Sequence, residues 1–298
     1  MKKFFTIPVI LLSIINAVYA QDDLLRLIPD NDSPEIVHGT FKSTRIISGQ
    51  SIETTPAHHL DYRISHRFGT INTGIDQFYG LDQGYVYMGF DYGISDRWMV
   101  GIGRSSVQKM VNLYTKYKLV TQKTSGGSPL SVTVLGEAFA DFLAYPSSEN
   151  RSAASKYSYA SQLLIARKFS DKLSLQVMPT WVHRNRTNVI GEQNDVFAMG
   201  IAGRYKITKR TALIGEYYYV APNQLANTYK NALSFGFDIE TGGHVFSLHF
   251  TNSIGMVEKQ FITETTDTWA DGGVHFGFNL GRTFGLGKKY RNQYKVKN

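Results

Sequence analysis

Apolar and polar residues alternate along most of the chain between residues 58 and 284. In the segment 233–240, Phe235 and Phe237 belong to one phase of this alternation and Asp238 belongs to the other. Successive side chains of a β-strand point to opposite faces, so each such segment predicts a strand with one apolar and one polar face. The segments that show the pattern are 60–68, 85–94, 98–105, 111–119, 130–142, 157–169, 173–184, 197–207, 212–220, 233–240, 244–251 and 274–284.

The connections between these segments alternate in length, except for a short connection at 106–109 and a longer one at 121–128. Short turns at 95–97 and 170–172 alternate with longer polar connections such as 144–156 and 252–273. Outer-membrane barrels have short turns at one end and long loops at the other, and their strands need about 9–11 residues to cross the bilayer. Strands of a β-sandwich, the alternative fold, are usually about 5–6 residues long. Residues 58–284 therefore predict an all-β, transmembrane, antiparallel up-and-down β-barrel of about 12 strands, with 14 strands as the alternative.

The N-terminus has the features of a Sec signal peptide. Lys2 and Lys3 precede an apolar run that begins at Phe4 and ends at a small-x-small cleavage site. The alternative is an uncleaved membrane anchor, whereas a lipoprotein anchor is excluded because the chain has no cysteine. We predict that residues 1–20 are removed by cleavage after Ala20 and that the mature protein resides in the Gram-negative outer membrane.

Residues 21–57 do not continue the alternation and form a predicted N-terminal irregular or plug segment. Their stretch 40–47 would be a thirteenth strand, which does not fit an antiparallel barrel with both ends on one side. We expect it to lie in the lumen or against the periplasmic mouth, or else to belong to an extra strand pair. Lys42 and Arg45 are its plug residues, and we expect them to pair with inward carboxylates. The candidate partners are Asp91, Glu137 and Glu216.

Aromatic residues of the outward phase cluster near both ends of the predicted strands. Rows of aromatic side chains occupy the two membrane–water interfaces of outer-membrane barrels. The alternative explanation is that aromatic residues favour strands in general. The predicted girdle residues are Tyr62, Tyr92, Trp98, Tyr117, Trp181, Tyr205, Tyr219 and Phe284.

The inward phase carries charges of both signs. The lumen of a barrel of about twelve strands is narrow, and it is either filled by side chains or open as a small water channel. Because buried charges must be paired, a salt-bridged, sealed lumen and a polar pore are both compatible with the sequence. The predicted lumen-facing residues are Asp61, Arg63, Arg67, Asp91, Lys116, Lys118, Glu137, Asp141, Arg184, Arg204, Lys206, Glu216, Asp238 and Glu240.

No sequence motif points to catalysis or to a cofactor. The histidines form no H-E-x-x-H pair, and the chain contains neither a G-x-S-x-G elbow nor a P-loop. We therefore predict no catalytic residue, no metal site, no cofactor and no binding of nucleic acid. An unrecognised outer-membrane hydrolase is the alternative to a protein without enzymatic activity.

Several stretches resemble one protein family. They are Gly39–Ile47, Leu60–Gly69 and Gly89–Ser106, and the closing His275–Arg282 fits as well. Together they resemble the DUF5777 family of β-barrel proteins of the Bacteroidetes, over essentially the whole mature chain. The resemblance implies an outer-membrane barrel and implies no reaction. The chain departs from the usual barrel ending, because Phe284 is followed by further residues.

The tail at 285–298 contains basic residues and no acidic one. We expect it to lie in the periplasm, either solvated or bound to a periplasmic partner or to anionic lipid headgroups. The expected partners of the barrel are outer-membrane lipid and the barrel-assembly machinery. As a function the sequence favours a narrow pore or transporter for a small polar solute. The alternatives are a sealed structural or partner-binding barrel without transport and, third, an outer-membrane enzyme.

Overall fold

The computed structural model describes residues 35–146, 151–241 and 244–287. The predicted signal peptide, residues 21–34 of the N-terminal segment and residues 288–298 of the tail lie outside the described residues. No helix in the described ranges is both long enough and apolar enough to cross a membrane.

Twelve antiparallel strands close into a barrel in the described part of the chain. The strands are β1 (His59–Thr70), β2 (Gly84–Ser95), β3 (Trp98–Ser105), β4 (Val111–Val120), β5 (Ser131–Ala140), β6 (Tyr157–Lys168), β7 (Leu173–Arg184), β8 (Asp195–Lys206), β9 (Thr211–Val220), β10 (Leu233–Thr241), β11 (His244–Thr251) and β12 (His275–Gly285). Each strand pairs with its neighbours in chain order, and β1 closes the barrel against β12 with Leu60 opposite Phe284. The predicted twelve-stranded barrel is confirmed, and the 14-strand alternative is wrong.

The two phases of each strand form an outer and an inner face of the barrel. On β10, Phe235 and Phe237 are 47% and 45% exposed, whereas Ser234 and Asp238 are 2% and 5% exposed. The apolar phase therefore faces outward and the polar phase faces the lumen, as in a barrel surrounded by lipid.

The connections give the barrel two different ends. The tight connections β2–β3, β6–β7 and β8–β9 lie at the same end as the start of β1 and the end of β12. We call this the short-turn end. The opposite, long-loop end carries longer connections, which include the 3-10 helices Ile71–Gly80 and Ala153–Lys156. Both ends of the barrel domain therefore lie at the short-turn end.

Two segments enter the lumen, one from each end. Residues 40–56, named here the plug segment, precede β1 and come from the short-turn end, where Thr54 contacts the β2–β3 turn. Residues 252–265, named here the inner loop, lie between β11 and β12 and contain helix α1 (Glu258–Thr263). Most residues of both segments are buried, so together they fill the interior of the barrel.

The inner loop corrects the expectation that 252–273 is a polar connection outside the barrel. Met256, Val257, Phe261 and Ile262 are buried, and they belong to the same apolar cluster as side chains of the plug segment. Removing these side chains from water stabilises the inward course of the loop.

Candidate functional site

The plug segment is a hairpin with a tight turn at its tip. The backbone N–H of Ile46 donates to the carbonyl of Gly49 at 2.8 Å, and the N–H of Ser51 donates to the carbonyl of Thr44 at 3.0 Å. Gly49 lies directly against the wall, because an added Cβ would collide with the hydroxyl of Tyr218. The close approach of the tip to the wall therefore requires glycine at this position.

The carboxylate of Glu216, on β9, binds the tip of the hairpin. It accepts hydrogen bonds from the N–H groups of Ile47 at 3.2 Å, Ser48 at 2.7 Å and Gly49 at 3.1 Å. Glu216 is buried. The three N–H groups therefore replace the water that this carboxylate would otherwise need.

The returning arm of the hairpin is bound by a glutamine of the wall. Nε2 of Gln176, on β7, donates to the carbonyl of Gln50 at 2.8 Å, while Oε1 accepts the N–H of Ile52 at 2.7 Å. The hydroxyl of Thr133, on β5, donates to the carbonyl of Ile52 at 3.1 Å. Gln176 thus satisfies one donor and one acceptor of the plug's main chain, as a neighbouring strand would.

Lys116, on β4, binds three main-chain carbonyls of the plug segment. Its Nζ donates to the carbonyls of Thr44 at 2.9 Å, Ser51 at 3.1 Å and Glu53 at 2.7 Å. The side chain is fully buried. An ammonium group has three donors and no acceptor, so these carbonyls satisfy its hydrogen-bonding capacity.

Two further strands bind the outgoing arm of the hairpin. The hydroxyl of Thr44 donates to Oδ2 of Asp91, on β2, at 2.6 Å. Nδ2 of Asn279, on β12, donates to the carbonyl of Ile47 at 2.9 Å. Wall side chains from several strands around the barrel therefore hold the plug by hydrogen bonds.

Lys42 has a different ion-pair partner from those expected. Its Nζ lies 3.0 Å from Oε2 of Glu240, and the guanidinium of Arg204 binds the other oxygen of the same carboxylate at 3.0 Å. The expectation of a pair with Asp91, Glu137 or Glu216 is wrong. Lys42 lies near the short-turn end, where Glu240 near the end of β10 is within its reach.

Arg45 joins the two inserted segments, which corrects the second expected ion pair. Its Nη1 lies 3.7 Å from Oε2 of Glu258 on α1, and its guanidinium lies 5.3 Å and 5.2 Å from the ring centroids of Tyr87 and Tyr114. Burial on its own lowers the pKa of Arg45, but the surrounding phenol and carboxyl groups outweigh burial and raise the pKa well above its ordinary value. The guanidinium therefore stays charged. The carboxyl group of Glu137 lies beside that of Glu258.

The inner loop contacts the wall through both apolar and polar side chains. The ring of Phe261 packs on that of Tyr218 with the ring centroids 4.9 Å apart. A polar contact is added by Gln260, whose Nε2 donates to the carbonyl of Val107 at 2.8 Å. The loop is also continuous with β11 and β12, so it is tied to the wall at both of its ends.

The structure places most of the predicted lumen charges on the inner face. The buried members of this set are Arg63, Arg67, Asp91, Lys116, Glu137, Arg184, Arg204, Glu216 and Asp238. Half-buried members near the short-turn end are Asp61, Lys118, Lys206 and Glu240.

Asp141 is the exception among the predicted lumen charges. It follows β5, which ends at Ala140, and its carboxylate accepts a hydrogen bond from the hydroxyl of Tyr145. The alternation predicts a strand over 130–142, but the strand is shorter, so Asp141 belongs to the long-loop end and not to the wall of the lumen.

The predicted girdle residues all lie on the outer face of the barrel. The half-buried members are Tyr62, Tyr92 and Trp181. The exposed members are Trp98, Tyr117, Tyr205, Tyr219 and Phe284.

A groove of about 760 Å³ lies on the same outer face, and Leu163, Pro179 and Met199 are among its lining residues. It is apolar and faces away from the polar lumen, so it does not extend the site formed by the plug segment. The described residues contain no group of three or more histidine, aspartate or glutamate side chains placed to hold a metal ion.

Comparisons with known proteins address the fold. A family model described as a membrane-bound β-barrel domain, DUF5777, matches residues 41–284. No curated protein matches the chain.

Solved structures similar to this chain include two porins and an outer membrane protein. The NanC porin has 10% identity and a TM-score of 0.47, and the match covers 75% of this chain and 98% of that one. The KdgM porin has 9% identity and a TM-score of 0.45 over 77% and 99% of the two chains. The outer membrane protein Omp33 of Acinetobacter baumannii has 9% identity and a TM-score of 0.42 over 79% and 100%.

The family match covers most of the chain, from within the plug segment to the last strand. It therefore includes both the closed barrel and the segment that fills it. The chain belongs to the DUF5777 family of membrane-bound β-barrel domains.

Proposed function

We propose that the protein is an outer-membrane channel for a small polar solute, closed in this conformation by the plug segment. The observation that carries the proposal is the chemistry of the contact between plug and wall. Glu216, Lys116 and Gln176 hold the plug through hydrogen bonds. Water can replace such bonds, because each contributes about 0.5–1.5 kcal/mol net to stability, or about 1.5–3 kcal/mol where the group is charged, as in Glu216 and Lys116.

The position of its two ends allows the plug segment to leave the lumen in one direction. Both of its ends lie at the short-turn end, which we place in the periplasm because outer-membrane barrels have their short turns there. The barrel ladder closes from β1 to β12 without any part of the plug segment. The plug can therefore move toward the periplasm while the wall stays intact, and water then hydrates the lumen charges.

The experiment that tests this function compares the full chain with a variant lacking residues 21–57 in planar lipid bilayers. We expect rare or small current steps from the full chain and large, discrete steps from the truncated one. A truncated barrel that is folded, as judged by heat-resistant gel mobility, but passes no current would contradict the channel.

A second pair of variants keeps the complete chain, in case the truncated one does not fold. Gln176→Met removes two hydrogen bonds to the plug, whereas Gln162→Met removes a glutamine that bonds to Thr180 on the neighbouring strand. We expect more frequent openings from Gln176→Met than from Gln162→Met. Equal opening frequencies would count against displacement of the plug.

A sealed barrel is the second candidate function, and the burial of the lumen favours it. The side chains of Arg67, Gln50 and Glu258 are fully buried, so no water path crosses the barrel at their positions in this conformation. Such a barrel would act through its loops or its basic tail. Absence of current from every variant above, in folded protein, would favour this second function.

Localisation in the outer membrane is tested by proteolysis of intact cells. We expect a protease site inserted at 153–156, in the long-loop end, to be cleaved from outside, and a site at Asp171 to be protected. The inner loop is unsuitable for this test because it is buried. Surrounding lipid, the barrel-assembly machinery and a periplasmic partner at the basic tail stay predictions.

A further inference from the structure

The wall of the lumen binds many peptide groups of the plug segment, in addition to side chains such as that of Thr44. Lys116, Thr133 and Asn279 donate to main-chain carbonyls, and Glu216 accepts from main-chain N–H groups. Gln176 does both. The wall therefore presents donors and acceptors in an arrangement that suits a main chain.

At one buried position of the plug, the wall forms a hydrogen bond with the main chain but not with the side chain. The carbonyl of Gln50 accepts a hydrogen bond from Gln176, whereas the side-chain amide of Gln50 has no hydrogen-bond partner among the described residues. At this position the wall recognises the peptide group and not the side chain.

Every buried main chain needs hydrogen-bond partners, so hydrogen bonding of the plug alone does not indicate a binding site. What indicates one is which part of the protein supplies the partners. Here they are side chains of β4, β5, β7, β9 and β12, and they belong to the wall. When the plug leaves, Lys116, Gln176 and Glu216 stay in the lumen with the same spacing. A solute that offers alternating carbonyl and N–H groups can then take over their bonds.

We infer that the solute of this channel is a short oligopeptide whose main chain takes over the bonds that the wall makes to the main chain of the plug. The plug segment occupies the same site as a peptide tethered to the barrel. This inference rests on the proposed channel function and names the class of its solute.

Competition between plug and peptide tests the inference in the complete chain. The natural chain has no cysteine, so Ser48→Cys introduces a single thiol at the buried tip of the hairpin. The protein is reconstituted in lipid vesicles, and the rate of maleimide labelling is measured with added tetraglycine that is acetylated and amidated. Tetraethylene glycol serves as the polar solute without peptide groups.

We expect the capped tetraglycine to increase the labelling rate in a saturable way, and tetraethylene glycol to leave it unchanged. In the Gln176→Met background, the labelling rate without peptide rises about tenfold because the plug loses two hydrogen bonds, and the half-saturating peptide concentration stays unchanged because plug and peptide lose the same bonds. In the matched Gln162→Met background both quantities stay unchanged.

Three results would overturn the peptide inference. They are labelling that tetraglycine does not accelerate, labelling that both solutes accelerate equally, and a half-saturating peptide concentration that falls about tenfold in the Gln176→Met background, as it would for a solute that does not bind Gln176. The channel itself is judged separately by its conductance in planar bilayers. A conducting protein without a peptide effect would thus retain the channel function and lose the oligopeptide as its solute.

Discussion

The plug segment and the inner loop both fill the lumen and both place apolar side chains in one buried cluster, but they are attached to the barrel differently. The plug contacts the wall through hydrogen bonds to side chains such as Glu216 and Lys116, and it is continuous with the barrel only at β1. The inner loop packs Phe261 and other apolar side chains into the interior and is continuous with β11 and β12.

This difference indicates which segment opens the barrel. The plug can leave the lumen while it stays attached to β1, at the cost of its hydrogen bonds and of about 25 cal/mol for each Å² of its buried apolar side chains that is exposed, whereas the inner loop is tied to strands at both of its ends. We therefore assign movement to the plug segment and a stationary narrowing of the lumen to the inner loop.

The largest effect is expected at Arg45, the contact between the two segments. Arg45→Met leaves the carboxyl groups of Glu258 and Glu137 buried beside each other, and we expect a loss of about 3–5 kcal/mol in the free energy of unfolding. Urea unfolding in lipid vesicles measures it. The double variant Arg45→Met, Glu258→Leu should recover much of the loss. If the double variant loses as much free energy of unfolding as the two single variants together, Arg45 and Glu258 are not coupled.

The next effect tests the apolar anchoring of the inner loop. Phe261→Ala removes a buried ring that packs on Tyr218, and we expect a loss of about 3 kcal/mol in the free energy of unfolding. Phe235→Ala, on the outer face, is the control and should cost less because lipid replaces the ring. A smaller loss for Phe261→Ala than for this control would refute the anchoring.

A third effect concerns the lipid-facing surface of the wall, to which neither inserted segment contributes. Phe237→Arg places a charge among lipid chains and should cost about 2–4 kcal/mol. The same unfolding measurement on Asp238→Asn, a change of the neighbouring buried residue, gives the comparison. Tolerance of arginine at 237 would mean that the assignment of inner and outer faces is out by one residue.

The smallest effect tests the polar contact of the plug. Thr133→Val removes the hydrogen bond to the carbonyl of Ile52, and we expect a loss of about 1 kcal/mol in the free energy of unfolding. A second measurement is the rate of maleimide labelling of the Ser48→Cys protein, for which Thr180→Val, on the inner face of β7, is the matched control. Thr133→Val should accelerate that labelling and Thr180→Val should not. Equal labelling would show that this bond does not hold the plug.

The sequence predicts the wall of the barrel because a two-residue period directly specifies which side chains face lipid. Phe235 and Asp238 lie on the faces that the alternation assigns to them. The plug stretch is identified because it breaks the pattern and makes the strand count odd. Each of these inferences depends on local order along the chain.

The inward course of the inner loop and the ion pairs could not be predicted from such local patterns. The apolar residues Met256, Val257 and Phe261 lie within a long connection, and no period shows that they turn inward. Arg45 pairs with Glu258, which is distant in the sequence and meets it only because both segments enter the lumen. Apolar side chains in a connection otherwise assigned to solvent are the signal that would have found this loop.

Hydrogen exchange of the full chain in lipid nanodiscs tests the central claim most directly. The N–H groups of Ile47, Ser48 and Ile52, which bond to the wall, should exchange faster than that of Phe261, which donates to the carbonyl of Val257 at the start of α1. Faster exchange at the tip of the plug would establish a movable plug beside a fixed inner loop. Protection of the plug equal to or greater than that of α1 would contradict the account.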